Sequence, residues 1–178
     1  MRKILEAMTL DQYKELVDSK FHRQKINPPS RVSETYFNPD GTAKPILEEI
    51  AAHITRIWPE IARKGEKIIG VYVVGPHAGG TFKDNSDIDI VVYYEGSFED
   101  RGYLARNLRQ KFTSESRFAC TGTDVPKHEK EGRIDFGLFD IKPFGALFDI
   151  LNREWVTYDK REIDYIRFQW AVYHMNVD

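Results

Sequence analysis

The sequence predicts an α+β domain: a mixed β-sheet with helices packed against it, preceded by an N-terminal helical extension. Two short β-branched runs, Ile68–Val74 and Asp87–Tyr94, flank a glycine-bearing loop and have the length and composition of strands. A third such run covers Arg133–Ile141. Around these runs, apolar residues recur every three or four positions, the period of helices with one buried face.

Thr9 and Gln12 form a capping box, and Leu10, Tyr13, Val17 and Phe21 follow at helical spacing, so a helix is expected over 10–21. Asn27-Pro28-Pro29-Ser30 is incompatible with a helix, and residues 22–41 read as an extended connection ending in the turn Asn38-Pro39-Asp40-Gly41. A second helix is expected from about Thr42, with Ile46, Ile50, Ile54, Ile57 and Ile61 on its buried face. Pro59 should interrupt it after Trp58, and Gly65 should close it. After the first two strands, Leu104, Leu108 and Phe112 mark a helix over Arg101–Phe112. Beyond the third strand, Phe144, Leu147, Phe148 and Leu151 mark another helix, and Ile163, Ile166 and Trp170 a last one over Glu162–His174. Residues 1–66 are the extension and 67–178 the sheet domain, expected to form one compact unit.

Bulk properties remove several function classes. Lys plus Arg is 26 against 28 Asp plus Glu, so no global basic field points to nucleic acid. Cys120 is the single cysteine, which excludes an internal disulfide and any Cys/His zinc spacing. The start, M-R-K-I-L-E-A-M-T-L-D-Q, is broken by charge too soon for a signal-peptide core, and no apolar run is long enough for a membrane span. A soluble, cytoplasmic protein is expected.

The chemistry concentrates in Gly70–Tyr94. Asp87 and Asp89 stand two residues apart, so in a strand both carboxylates point to one face. Asp135 alternates with the apolar Ile134 and Phe136 and offers a third; Asp140 is nearer the end of that run and ranks second. Gly75, Gly79 and Gly80, followed by Thr81, form a loop whose amides can approach phosphate without a Cβ in the way. A helical turn starting after Gly75 would add free N–H groups and a dipole. Lys83, Arg133 and Lys142 are nearby cations. Convergent carboxylates beside such a loop suit Mg²⁺ (or Mn²⁺) and a nucleoside triphosphate, because two bridged metal ions can offset charge on the attacking and leaving oxygens.

The run G-P-H-A-G-G-T-F-K-D-N-S-D-I-D-I-V-V resembles the signature of the DNA polymerase β-like nucleotidyltransferase superfamily: a strand, Gly-Ser, about ten residues, then Asp-x-Asp opening a strand. Asn85-Ser86-Asp87-Ile88-Asp89-Ile90 is similar to the S-D-I-D-L of minimal nucleotidyltransferases and aminoglycoside adenylyltransferases. The resemblance covers about residues 68–142. It implies Asp87, Asp89 and Asp135 as metal ligands and catalytic carboxylates, with Gly75, Gly79, Gly80, Thr81 and Lys83 around the triphosphate. The implied reaction moves an NMP group from an NTP to a hydroxyl on a small molecule, a protein or an RNA end, releasing pyrophosphate. Pro76 departs from the pattern. It takes the place of a serine whose hydroxyl and N–H meet the phosphates, and proline has neither donor. Either Thr81 or the 77–80 amides replace it, or nucleotide binding is weakened. The alternative is therefore a catalytically impaired member acting as a nucleotide sensor or as an antitoxin-like, protein-binding partner. A homodimer stays open.

Other conspicuous residues have plainer readings. His77 is a loop histidine without an assigned catalytic role, and His128 lies in a mixed-charge loop. Cys120 reads as a buried filler. Trp58, Trp155 and Trp170 fall in helical contexts and read as core. Arg101, Arg106, Arg109 and Lys111 read as the exposed face of their helix. Nothing matches an RRM or KH signature.

Overall fold

The computed structural model describes residues 24–95, 100–124, 130–138 and 146–157. The helices expected over 10–21 and 162–174, together with Asp140, Lys142, His128 and Trp170, lie outside the described residues. Along the chain come β1 (Gln24–Lys25), α1 (Pro45–Ile61), β2 (Lys67–Val74), α2 (Gly75–Gly79) and β3 (Ile88–Glu95). They are followed by α3 (Arg101–Glu115), β4 (Phe118–Cys120), β5 (Gly132–Leu138), β6 (Leu147–Asp149) and β7 (Glu154–Thr157).

Among the described residues, seven strands form one mixed sheet in the order β1-β7-β6-β2-β3-β5-β4. β2 and β3 pair antiparallel, whereas β3–β5 and β5–β4 are parallel. The α+β architecture read from the sequence is the one observed. One face of the sheet carries Val71, Val73, Ile88, Ile90, Val92, Ile134, Phe136 and Leu138, all in the main core. α1 and α3 cover it with Ile50, Ile54, Ile57, Leu104, Leu108 and Phe112. Burying each such apolar side chain contributes about 1.5–3 kcal/mol before conformational entropy is counted against it. The opposite face holds a smaller cluster of Tyr72, Val74, Val91, Leu147 and Val156.

α1 starts at Pro45 rather than at Thr42, because the fixed φ and missing N–H of proline suit a first turn. Pro59 does not interrupt it: the helix continues to Ile61. Pro59 sits in the last turn, where only the bond to the Thr55 carbonyl is lost. Gly65, with φ 75°, lies beyond the helix in the turn leading to β2.

The helix expected around Phe144, Leu147, Phe148 and Leu151 is not formed over its described part. Leu147–Asp149 is β6, and after a turn the chain returns as β7, with Leu147 opposite Val156 and Phe148 opposite Trp155. Spacings of three and four over so short a run do not separate helix from strand. Pairing decides: β6 docks on β2 with Tyr72 opposite Asp149 and Val73 opposite Phe148. The turn is built by Asp149, whose carboxylate accepts from both the backbone N–H and the side-chain amide of Asn152, and by Arg153 at φ 56°. Trp155 is therefore a strand residue, not a helical one. It packs against Phe37 and Phe148 and donates its indole N–H to Gly41 O at 2.8 Å.

Cys120 is buried, and burial pushes its thiol up to about 11. At pH 8 roughly one native thiol in 10³ is then ionised, and the thiolate is the reactive form. A thiol-specific aromatic disulfide is expected to label the native protein at least tenfold more slowly than the protein unfolded in guanidinium. Equal rates would contradict the burial described.

Candidate active site

The sheet places the carboxylates. Asp89 and Asp135 are register partners on the adjacent parallel strands β3 and β5, so they stand side by side on one face. Asp87 precedes β3 by one residue and shares that face by the two-residue period. Its Oδ2 accepts from the Thr121 hydroxyl at 3.3 Å. The alternating Ile88, Ile90, Ile134 and Phe136 point the other way into the main core, which fixes the register: a one-residue slip would bury the carboxylates. β5 lies inside the sheet, between β3 and β4, so Asp135 is not an edge-strand residue.

Gly75 bears directly on this geometry. It has φ 66°, and a Cβ there would stand 2.5 Å from Asp89 Oδ2. The glycine makes room for the carboxylate. α2 follows at once, with Pro76 in its first turn, where helix N–H groups have no intrahelical acceptor. Proline thus costs the helix nothing there, but it removes a donor from the loop. Gly80 ends α2 in the left-handed region at φ 76°, and a Cβ there would meet Arg31 O at 2.9 Å. It permits close packing of the segment 29–31 on the loop. Gly79 has open space around it, and Thr81 and Lys83 are exposed. Gly80→Ala is expected to lower stability by about 2 kcal/mol through the positive φ and the contact with Arg31. A denaturant midpoint equal to wild type would contradict this.

Two cavities flank the carboxylates. One of about 430 Å³ holds Asp89, Asp135, Gly75, Pro76, Arg101 and Arg109. Arg109 reaches it because β4 stops at Cys120, opposite Ile134; past that end Arg109 donates to Phe136 O at 2.7 Å. The sequence places Arg101 and Arg109 on an exposed helix face; both instead line this cavity, Arg109 by its reach past the end of β4. Lys111 does face outward, bridging Glu60 and Glu115. The other cavity, about 980 Å³, opens at Asp87 and includes His77, Lys83, Arg133, Arg31 and Tyr36.

His77 is a wall of that larger cavity. Its ring stacks on Phe82 and meets Tyr36 edge-on, and its Nε2 lies 3.2 Å from Ser86 O. Burial and the negative charge of Asp87 hold the Tyr36 phenol above its ordinary range, so at neutral pH it is an O–H donor. No sequence signal marked Tyr36 or Arg31, because the segment has neither helical nor strand period.

The donor set suits a hard divalent cation: carboxylate oxygens from β5 and from the start of β3 on a single face. Among the described residues no three His, Cys, Asp or Glu side chains are already gathered into a metal-holding group. Binding one ion with all three aspartates requires the carboxylates to close in. Among the described residues no helix is long and apolar enough to cross a membrane.

Comparison with known proteins adds one finding: residues 54–136 match the nucleotidyltransferase domain family. The match runs from within α1 to Phe136 and includes Asp87, Asp89 and Asp135. No curated protein and no solved structure matches the chain.

Proposed function

From the premise that residues 54–136 are a nucleotidyltransferase domain, we propose that the chain transfers an NMP group from an NTP to a hydroxyl acceptor, in a reaction dependent on Mg²⁺ or Mn²⁺. The observation that carries the proposal is the register pairing of Asp89 with Asp135 beside Gly75. Asp89 and Asp135, with Asp87, are the residues that would hold the cation. When bound, it supplies charge compensation on phosphate oxygens and lowers the pKa of the acceptor hydroxyl.

The acceptor oxygen attacks the α-phosphorus while the bond to the pyrophosphate oxygen breaks, and pyrophosphate leaves with that electron pair. The acceptor proton passes to Asp135 or to solvent. Gly75 leaves room for the Asp89 carboxylate beside the end of β2. Arg101 and Arg109 add positive charge beside the two carboxylates, where a negatively charged substrate must enter. Thr81, Lys83 and the Gly79–Gly80 turn are the loop groups assigned to the triphosphate.

The test is incubation with labelled NTPs, Mg²⁺ or Mn²⁺ and hydroxyl acceptors of the three classes, followed by detection of labelled acceptor and free pyrophosphate. Transfer that survives unchanged in Asp89→Asn would sink the proposal. Pro76 favours a second reading, a nucleotide sensor or partner-binding protein, since a backbone donor is missing from the loop. That reading predicts nucleotide binding in calorimetry with no turnover.

A further inference from the structure

β5 changes its neighbour at Asp135. Strand carbonyls two residues apart point to the same side. Those of Ile134 and Phe136 therefore both face the β4 side of β5, one before Asp135 and one after it. Ile134 O accepts the Thr121 N–H at 2.9 Å, just past the end of β4. Beyond that point no described strand runs along this edge of β5. Phe136 O instead accepts from Arg109 Nη2 at 2.7 Å.

Arg109 has a firm base. It comes from α3, which is anchored in the main core by the fully buried Leu104, Leu108 and Phe112. Its guanidinium is turned to protein: Nη2 is on the carbonyl, and Nε is buried with no hydrogen-bond partner. The bond to Phe136 O is charge-assisted, about twice as strong as a neutral one. Burial raises the Cys120 thiol most; after a hydrogen bond to Thr113, Arg109 lowers it and Asp135 raises it, so both charges lie close to the end of β4. The residue held between the two fixed carbonyls is Asp135, the register partner of Asp89.

We propose that Arg109 is a positioning residue for Asp135: it takes the place of a β4 N–H at Phe136 O and so holds the β5 backbone, and the carboxylate on it, in place for the metal. This role rests on the transferase reading of the site and goes beyond the charge that Arg109 brings to the cavity. An unpaired strand edge carries free carbonyls and is easily displaced. A partner that orients a metal-binding carboxylate is worth about 10-fold to 100-fold in metal affinity or activity. Charge and positioning have opposite consequences for a cation. A guanidinium that acts only by its charge repels Mn²⁺ from the neighbouring carboxylates, so its loss tightens metal binding or leaves it unchanged. A guanidinium that positions Asp135 favours the metal, so its loss weakens binding.

The experiment compares wild type, Arg109→Met, Arg109→Lys and Arg101→Met, with thermal midpoints checked to show that each is folded. Mn²⁺ affinity is measured by calorimetry without nucleotide, and backbone hydrogen exchange is followed over residues 132–138. Methionine keeps an apolar stem and removes the donor, lysine keeps a donor and the charge, and Arg101→Met removes one charge from the same cavity. In Arg109→Met, Mn²⁺ affinity is expected to be about tenfold weaker, exchange over 132–138 about fivefold faster and kcat about 10²-fold lower. Arg109→Lys should recover most of each loss, and Arg101→Met should bind Mn²⁺ as well as wild type or better. If Arg109→Met does not fold, Arg109→Gln, whose amide is too short to reach Phe136 O, takes its place. Mn²⁺ affinity in Arg109→Met equal to wild type or tighter, or weakened no more than in Arg101→Met, overturns the inference. So does wild type that binds no Mn²⁺. Transfer is assayed separately on wild type. Weakened Mn²⁺ binding in Arg109→Met while wild type makes no product leaves the positioning role standing and removes the transferase reading; product from wild type with unaltered Mn²⁺ binding in Arg109→Met does the opposite.

Discussion

Asp89→Asn and Asp135→Asn are each expected to lower nucleotidyl transfer about 10³-fold, equivalent to about 4 kcal/mol of transition-state stabilisation. The two side chains are register partners, so each replacement removes one charge from the same spot on the sheet. The amide keeps the size and half-burial of the carboxylate, so the fold has little reason to suffer. In the metal-free protein the denaturant midpoint is expected to be unchanged or slightly raised, because two neighbouring carboxylates repel one another and one charge has gone. Loss of activity accompanied by a large loss of stability would mean that these aspartates serve structure instead. Mn²⁺ titrations of the same variants should show weakened metal affinity in both.

Gly75→Ala is the second large effect and separates positioning from ligation. The new Cβ would fall 2.5 Å from Asp89 Oδ2, and the residue would have to keep φ 66°. The left-handed conformation costs about 1–2 kcal/mol, and relief of the contact must come from moving Asp89 or the start of α2. Transfer is expected to fall about 10²-fold, with stability lower by about 2 kcal/mol. A variant with full activity would show that Asp89 can shift freely without consequence, which the role assigned to it does not allow. Gly79→Ala is the contrast: nothing lies within 4 Å of a Cβ at that position, so its effect on stability should be small.

The parts of the fold legible in the sequence are those with a clear period or a rigid spacing. Ile68–Val74 and Asp87–Tyr94 are apolar, β-branched and bounded by turn residues, and they became β2 and β3 with shifts of one residue at their ends. Asp135 stood out because it alternates with Ile134 and Phe136, and the register then placed it against Asp89. β4 is three residues long and carries no pattern of its own. β6 and β7 were hidden because the apolar spacing around Leu147 satisfies a helix equally well, and only pairing with β2 distinguishes them. Gly75 and Gly80 lie closest to Asp89 and Arg31, contacts that no local spacing foretells. Tyr36 and Arg31 reach the site through a tertiary contact of an aperiodic segment, and Arg109 through the early end of β4. Neither is encoded in any local spacing.

The assignment of Asp87, Asp89 and Asp135 to the metal is tested by a crystal structure of the protein with Mn²⁺ and a non-hydrolysable NTP, read through the anomalous signal of the metal. Manganese is expected on the face shared by β3 and β5, with carboxylate oxygens of Asp89 and Asp135 at about 2.1–2.2 Å and Asp87 turned towards the ion. Manganese and nucleotide bound elsewhere, or nucleotide bound with no metal at Asp89 and Asp135, would contradict it.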